Sequence, residues 1–260
     1  MINMATDVVG IVPAAGVGSR LSPLPCSKEL FPVGFEAHPE HGTPHPKAVS
    51  QYLLEHMQRS GARQVFVILR KGKWDIPNYY GDGSQLGLQL AYLIMQKPYG
   101  SPFSVDQAYS FVRQQRVVFG FPDILIEPEN AFERLLQRQE QTGADVVLGC
   151  FKVPYPHKWD MVELQETGAV QAILPKPANS NLTLGWAIAC WGPRFTEFMH
   201  TYLQKVEEHL IARGGELSMG EVVQAAINAR LLVQSEVFDN GTCLDVGTPE
   251  DLQAAIRRLS

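Results

Sequence analysis

At 260 residues, with 45% apolar and 19% charged side chains, the chain has the composition of an ordinary globular protein and is long enough for one large core. Its net charge of −5, with no run of five like charges, excludes the non-specific nucleic-acid affinity that clustered Lys and Arg confer. Four scattered cysteines (Cys26, Cys150, Cys190, Cys243), none in a C-x-x-C pair, argue against a zinc site or disulfide framework and for a reducing compartment.

Short apolar runs alternate with helix-like periodic segments, the pattern of an α/β fold. Val8 to Val12 is a β-branched run that ends at Pro13, Ala14, Ala15 and Gly16. A helical stretch from about Ala48 to Gln58 leads into a second strand, Gln64 to Leu69. The loop ahead of this helix, Phe35 to Pro46, carries His38, His41 and His45; Pro and Gly break any ligand spacing, so it reads as a solvated insertion. Leu88 to Met95 and Arg116 to Phe119 read as strands. Asn130 caps the next helix, with Glu133 completing a capping box and Gly143 ending it, before a buried strand from Asp145 to Phe151. Further strands are expected at Val170 to Leu174 and Trp186 to Trp191. Phe195 to Ile211 forms a long amphipathic helix, and Pro249 to Leu259 a closing helix with Pro in its first turn. No repeat or linker divides the chain, so residues 1–260 read as a single domain. MINMATDVVG lacks the basic and apolar regions of a signal peptide, and no apolar stretch approaches membrane-spanning length, so a cytoplasmic protein without a membrane partner is expected.

The first turn carries the chemistry. A buried strand enters a loop holding Gly16, Gly18, Ser19 and Arg20, where missing Cβ atoms let backbone N–H groups approach phosphate oxygens. Leu21 stands where a dinucleotide fingerprint needs its third glycine, and no Gly-Lys-Ser/Thr follows, which speaks against both a dinucleotide oxidoreductase and a P-loop. Lys28 adds a second cation. Asp123 follows the apolar strand RVVFGF, at the carboxyl end where ligands sit in open α/β sheets.

GVGSRL and SKELFPV resemble the G-x-G-[ST]-R-L and P-K-E/Q-L-x-P-V signatures of the sugar-nucleotide pyrophosphorylases, the glucose-1-phosphate thymidylyl- and uridylyltransferases. The likeness continues through YGDGSQLGLQLAYLIMQ, PYGSPFSVDQAYSFV, ILPKPANSNLTLGWAI and CLDVGTPEDL. It implies a Rossmann-like, mostly parallel sheet flanked by helices, of the nucleotide-diphospho-sugar transferase type. It implies that Ala15, Gly16, Gly18, Ser19 and Arg20 hold the triphosphate and that Lys28 lies against the reacting phosphates. Gln96 would read the base edge, with Gly100 the close-approach glycine beside the base. Lys176 would contact the sugar phosphate and Gly185 border the sugar. Asp123 and Asp245 would hold Mg²⁺, which favours one or two carboxylates plus phosphate oxygens and water.

The implied reaction couples a nucleoside triphosphate, dTTP or UTP, to a sugar 1-phosphate; relatives often assemble as homo-oligomers. Three departures bear on substrate. Pro175 replaces a glutamate that binds sugar hydroxyls, Asp160 replaces a small glycine, and the stretch between Arg20 and Lys28 is about two residues short. They leave room for a CTP-dependent enzyme acting on a non-sugar phosphate or phosphonate, or for a regulatory relative that binds sugar nucleotides without turnover.

Overall fold

The computed structural model describes residues 7–37 and 41–259. Among these the strands are β1 (Val8–Ala14), β2 (Pro32–Ala37), β3 (Pro44–Ala48), β4 (Gln64–Leu69), β5 (Gln89–Ile94) and β6 (Arg116–Gly120). They continue as β7 (Ile124–Glu127), β8 (Val146–Lys152), β9 (Met161–Leu164), β10 (Val170–Leu174), β11 (Leu184–Trp191), β12 (Val233–Phe238) and β13 (Thr242–Asp245). The helices are α1 (Val49–Arg59), α2 (Asp75–Tyr80), α3 (Ser101–Asp106), α4 (Tyr109–Val112), α5 (Ala131–Thr142), α6 (Pro193–Arg213), α7 (Met219–Asn228) and α8 (Pro249–Leu259). None of them is long and apolar enough to cross a membrane.

The main sheet runs β5-β4-β1-β6-β11-β8-β12, with the β9–β10 hairpin joined to the Gly185 end of β11. β5, β4, β1 and β6 are mutually parallel, as are β8 and β12, whereas β11 runs antiparallel to both β6 and β8. Period-2 alternation sends the side chains of each central strand into two separate cores. Val9 and Ile11 of β1, with Phe66, Ile68, Val117 and Phe119, face α3, α4, α6 and α7. Val12 and Ala14, with Val65, Val67, Leu69 and Val118, face Leu53, Leu54 and Met57 of α1 and Phe132, Leu135 and Leu136 of α5. Coverage on both faces is what a parallel sheet requires.

Two short ribbons stand apart from this sheet: β7 pairs antiparallel with β13, and β2 with β3. The second includes residues of the expected insertion, Phe35 to Pro46, whose described residues are exposed or half-buried. Its residues form a ladder whose Val33 packs with Val49, Val246 and Ala255 in a third, small core. His38 lies outside the described residues, and His45 Nε2 sits 3.0 Å from Glu36. A correction concerns α5. Asn130 precedes it and Gly143 (φ +65°) ends it, but the Asn130 side chain caps nothing. The capping box lies at α7 instead, where Ser218 Oγ accepts from the Glu221 N–H and the Glu221 carboxylate accepts from the Ser218 N–H.

Candidate active site

Parallel register brings the strand ends to one edge. Ala14, the last residue of β1, pairs with Leu69, the last of β4, and Ile11 pairs with Phe119 of β6. The segments after β1, β4, β5 and β6 therefore emerge together, where the chain switches from one side of β1 to the other. They surround a cavity of about 640 Å³. Ala15, Gly16, Gly18, Ser19, Arg20, Lys28, Gly100, Asp123 and Lys176 all stand on its wall.

Lys28 lies against the glycine loop. A Cβ at Gly18 (φ +68°) would come within 3.5 Å of Lys28 Cδ, and one at Gly16 within 3.8 Å of its Cε. The Lys28 ammonium pairs with the Asp123 carboxylate. Burial opposes that charge, but Asp123, helped by Glu29 and Asp245, holds Lys28 above the ordinary lysine range.

The β7–β13 ladder joins the two aspartates. Asp245 is registered opposite Ile124, the residue after Asp123, and the Val246 N–H donates to the Asp123 carbonyl at 2.8 Å. Burial first, and then the Asp123 charge, push the Asp245 carboxyl up; Arg20 and Lys28 pull it back. Gly247 lets this happen at close quarters. A Cβ there would fall 2.7 Å from Asp245 Oδ1 and 3.0 Å from Arg20 Nη2.

Among the described residues no cluster of three or more His, Cys, Asp or Glu side chains could hold a metal. Asp123 and Asp245 are hard oxygen donors, with Lys28 and Arg20 as their nearby counter-charges. That donor set fits Mg²⁺ whose remaining ligands are phosphate oxygens and water.

The sugar-side residues are placed less uniformly. Lys176 reaches the wall from a strained backbone (φ +38°). Gly185 is buried in β11, with Trp159 and Val153 packed over it, away from the cavity wall. Gln96 is exposed just outside the cavity, although Met95 and Pro98 line it. Gly100 (φ +111°) is approached by the backbone of Leu217, whose N–H donates to the Tyr99 carbonyl at 2.8 Å.

Met161 pairs with Leu174, so Asp160, just before β9, and Pro175, just after β10, leave the hairpin at the same end. Asp160 Oδ1 is buried without a hydrogen-bond partner among the described residues. Burial raises this carboxyl, while Lys176 and the Gly220 and Lys176 backbone N–H groups oppose the rise.

Two features escape sequence reasoning. Glu29, next to Lys28, is buried and takes a bidentate ion pair from Lys73 Nζ at 2.6 and 2.7 Å. Nothing in KGKWD marks Lys73 as a buried cation. Arg70 also lines the cavity, and its place directly after the apolar run QVFVIL is a signal the switch-point rule could have used.

The carboxyl edge of the parallel strands thus gathers a glycine loop, the cations Arg20, Lys28, Arg70 and Lys176, and Asp123 about one cavity, with Asp245 close to Asp123 and Arg20. The chain belongs to the nucleotidyl transferase family, whose sequence model matches residues 9–260. It is similar to the low-salt glycan biosynthesis nucleotidyltransferase Agl11 of Haloferax volcanii, at 25% identity over 95% of this chain and 64% of that protein. It is also similar to a glucose-1-phosphate thymidylyltransferase of an Actinoplanes species, at 28% identity over 95% of this chain and 76% of the relative. The chain thus spans less than two thirds of the first relative's length. A UTP-bound UGPase from Acinetobacter baumannii shares the fold, with a TM-score of 0.77 at 16% identity over 97% of this chain and 93% of that one.

Proposed function

We propose that the chain joins a nucleoside triphosphate to a sugar 1-phosphate and releases pyrophosphate. The observation that carries this reading is the convergence of Arg20, Lys28, Lys176 and Asp123 about one cavity, with Asp245 interacting with Asp123, Arg20 and Lys28 beside it. Kinship with glucose-1-phosphate thymidylyltransferases supports the substrate class. A phosphate oxygen of the sugar 1-phosphate attacks the α-phosphorus in line, and pyrophosphate departs. That oxygen is already anionic at neutral pH, so the reaction asks for alignment and charge neutralisation, not for a strong base. Lys176 orients the incoming phosphate, and Lys28 takes up charge at the α-phosphoryl group. Arg20 and the backbone N–H groups of the glycine loop steady the outer phosphates. Asp123 and Asp245 would hold Mg²⁺, which when bound supplies electrostatic neutralisation of the phosphate oxygens.

The Asp160–Pro175 exchange favours a second reading, in which CTP is joined to a non-sugar phosphate such as phosphocholine, or to a phosphonate. A buried carboxylate beside Lys176 changes the character of the acceptor end. A pyrophosphate-release assay tests both readings, running dTTP, UTP, CTP, ATP and GTP against sugar 1-phosphates, phosphocholine and a phosphonate, with and without Mg²⁺. Turnover with dTTP or UTP and a sugar 1-phosphate supports the first reading. Turnover confined to CTP and a non-sugar acceptor replaces it with the second, and absence of turnover on the whole panel refutes both.

A further inference from the structure

A second cavity of about 430 Å³ lies on the other side of the glycine loop. It shares Val17, Gly18, Lys28 and Arg70 with the first, so the two are separated by little more than the loop and these side chains. Its charges are unevenly satisfied. Lys28 is paired with Asp123, and Lys73 with Glu29. Asp75 accepts from the Ser27 N–H at 2.6 Å and from Ser27 Oγ at 2.8 Å. Among the described residues neither the Arg70 nor the Lys71 side chain has a hydrogen bond or ion pair, and both line this cavity.

Arg70 directly follows Leu69, the register partner of Ala14, so it emerges beside Ala15 at the root of the glycine loop. A half-buried guanidinium without an anion is an unfinished arrangement, and its planar fork suits bidentate phosphate oxygens.

We propose that Arg70 grips the outer phosphates of the triphosphate, and that the second cavity, with Lys71, receives the departing pyrophosphate. This rests on the nucleotidyl-transfer reading above. As the new bond from the acceptor oxygen to the α-phosphorus forms, the bond from that phosphorus to the bridging oxygen breaks. Its electron pair stays on that oxygen, adding negative charge to the leaving group. Arg70, on the wall common to both cavities, meets that charge and holds the product as it moves behind the loop.

The test measures binding of inorganic pyrophosphate to the whole chain by calorimetry, at fixed ionic strength with Mg²⁺ present, so it needs no turnover. Arg70→Ala should weaken pyrophosphate at least about tenfold, and Arg70→Lys should recover part of the loss. Lys71→Ala should weaken it by about threefold, an effect that shrinks with added salt. Affinity for the diphosphate sugar that the enzyme forms, which lacks the outer phosphates, should stay within about twofold in all three. Arg63→Ala, an exposed arginine at the opposite end of β4, serves as the control. Pyrophosphate binding unchanged in Arg70→Ala overturns the proposal, as does an equal loss in Arg63→Ala or an equal loss of the diphosphate sugar. Should Arg70→Ala fail to fold, Arg70→Gln carries the same measurement. Pyrophosphate held through Arg70 in a chain that turns over no substrate pair keeps this site and refutes the proposed function. Turnover with pyrophosphate binding indifferent to Arg70 does the reverse.

Discussion

Replacing Glu29 by alanine would leave the Lys73 ammonium, itself only 9% exposed, without its counter-charge. Burial pushes the Glu29 carboxyl up and the Lys73 ammonium down from their ordinary values, so each relies on the other to stay charged. Glu29 is only 1% exposed, and both its oxygens are engaged by Lys73. Breaking such a buried pair from one side costs about 3–5 kcal/mol. For a chain of this size roughly 2–4 °C of melting temperature goes with each kcal/mol, so Glu29→Ala should melt about 6–20 °C lower by calorimetry. Glu29→Leu combined with Lys73→Met removes both charges and should return to within about 2 kcal/mol of the parent. A single variant that loses under about 1 kcal/mol, or a double variant no better than the single, refutes the reasoning.

The remaining expectations concern chemistry, pH and backbone. Under the proposed function, Lys28→Ala should slow turnover about 10²–10³-fold and Asp245→Ala at least as much, both in single-turnover assays. Near-parental rates in Asp245→Ala would remove the carboxylate pair from the mechanism. Burial, then Arg59, lowers His56 to about 4, against about 6.5 in the unfolded chain. The unfolded state therefore binds the proton first, and stability falls as pH drops from about 6.5 towards 4, by up to about 3 kcal/mol. Urea midpoints at pH 7 and 4.5 should show that loss in the parent and its relief in His56→Leu; equal pH dependence in both would refute it. At Gly100 (φ +111°) an added Cβ would overlap the Leu217 carbonyl oxygen. Gly100→Ala should cost about 3 kcal/mol in thermal unfolding, and a loss below about 1 kcal/mol would show that the 216–218 segment yields freely.

What sequence makes legible here is what a local period can carry. β4 and β10 occupy the expected Gln64–Leu69 and Val170–Leu174, and α8 the expected Pro249–Leu259, because apolar runs and a first-turn proline mark them without reference to the rest of the chain. The glycine loop is legible for the same reason. β7 and β13, four residues each, are too short to show alternation, so sequence can name Asp123 and Asp245 but not the ladder that joins them. β2 and β3 hide behind proline, which reads as loop but is tolerated in a short, isolated ribbon. The Glu133 capping box does not form, since the Asn130 side chain makes no capping hydrogen bond, while the Ser218–Glu221 pair carries the same signature. Glu29 and Lys73 look like surface charges until the fold closes over them. Gly185 shows the limit of carrying a role by position: its missing side chain makes room for Trp159.

The ribbon that unites the aspartates has a bearing on how the protein is made. Every strand of the main sheet has been synthesised by Phe238, before any residue of β13 is translated. A nascent chain can therefore assemble the glycine-loop edge of its main sheet while Asp245 is still missing. Local opening of residues 242–259 would recreate that condition in the finished molecule: β13 is laddered to β7, and α8 behind it is tied down by the Arg258–Glu127 and Lys158–Asp251 pairs. Under the proposed function, whatever loosens this segment withdraws Asp245 from the site while the main sheet stands.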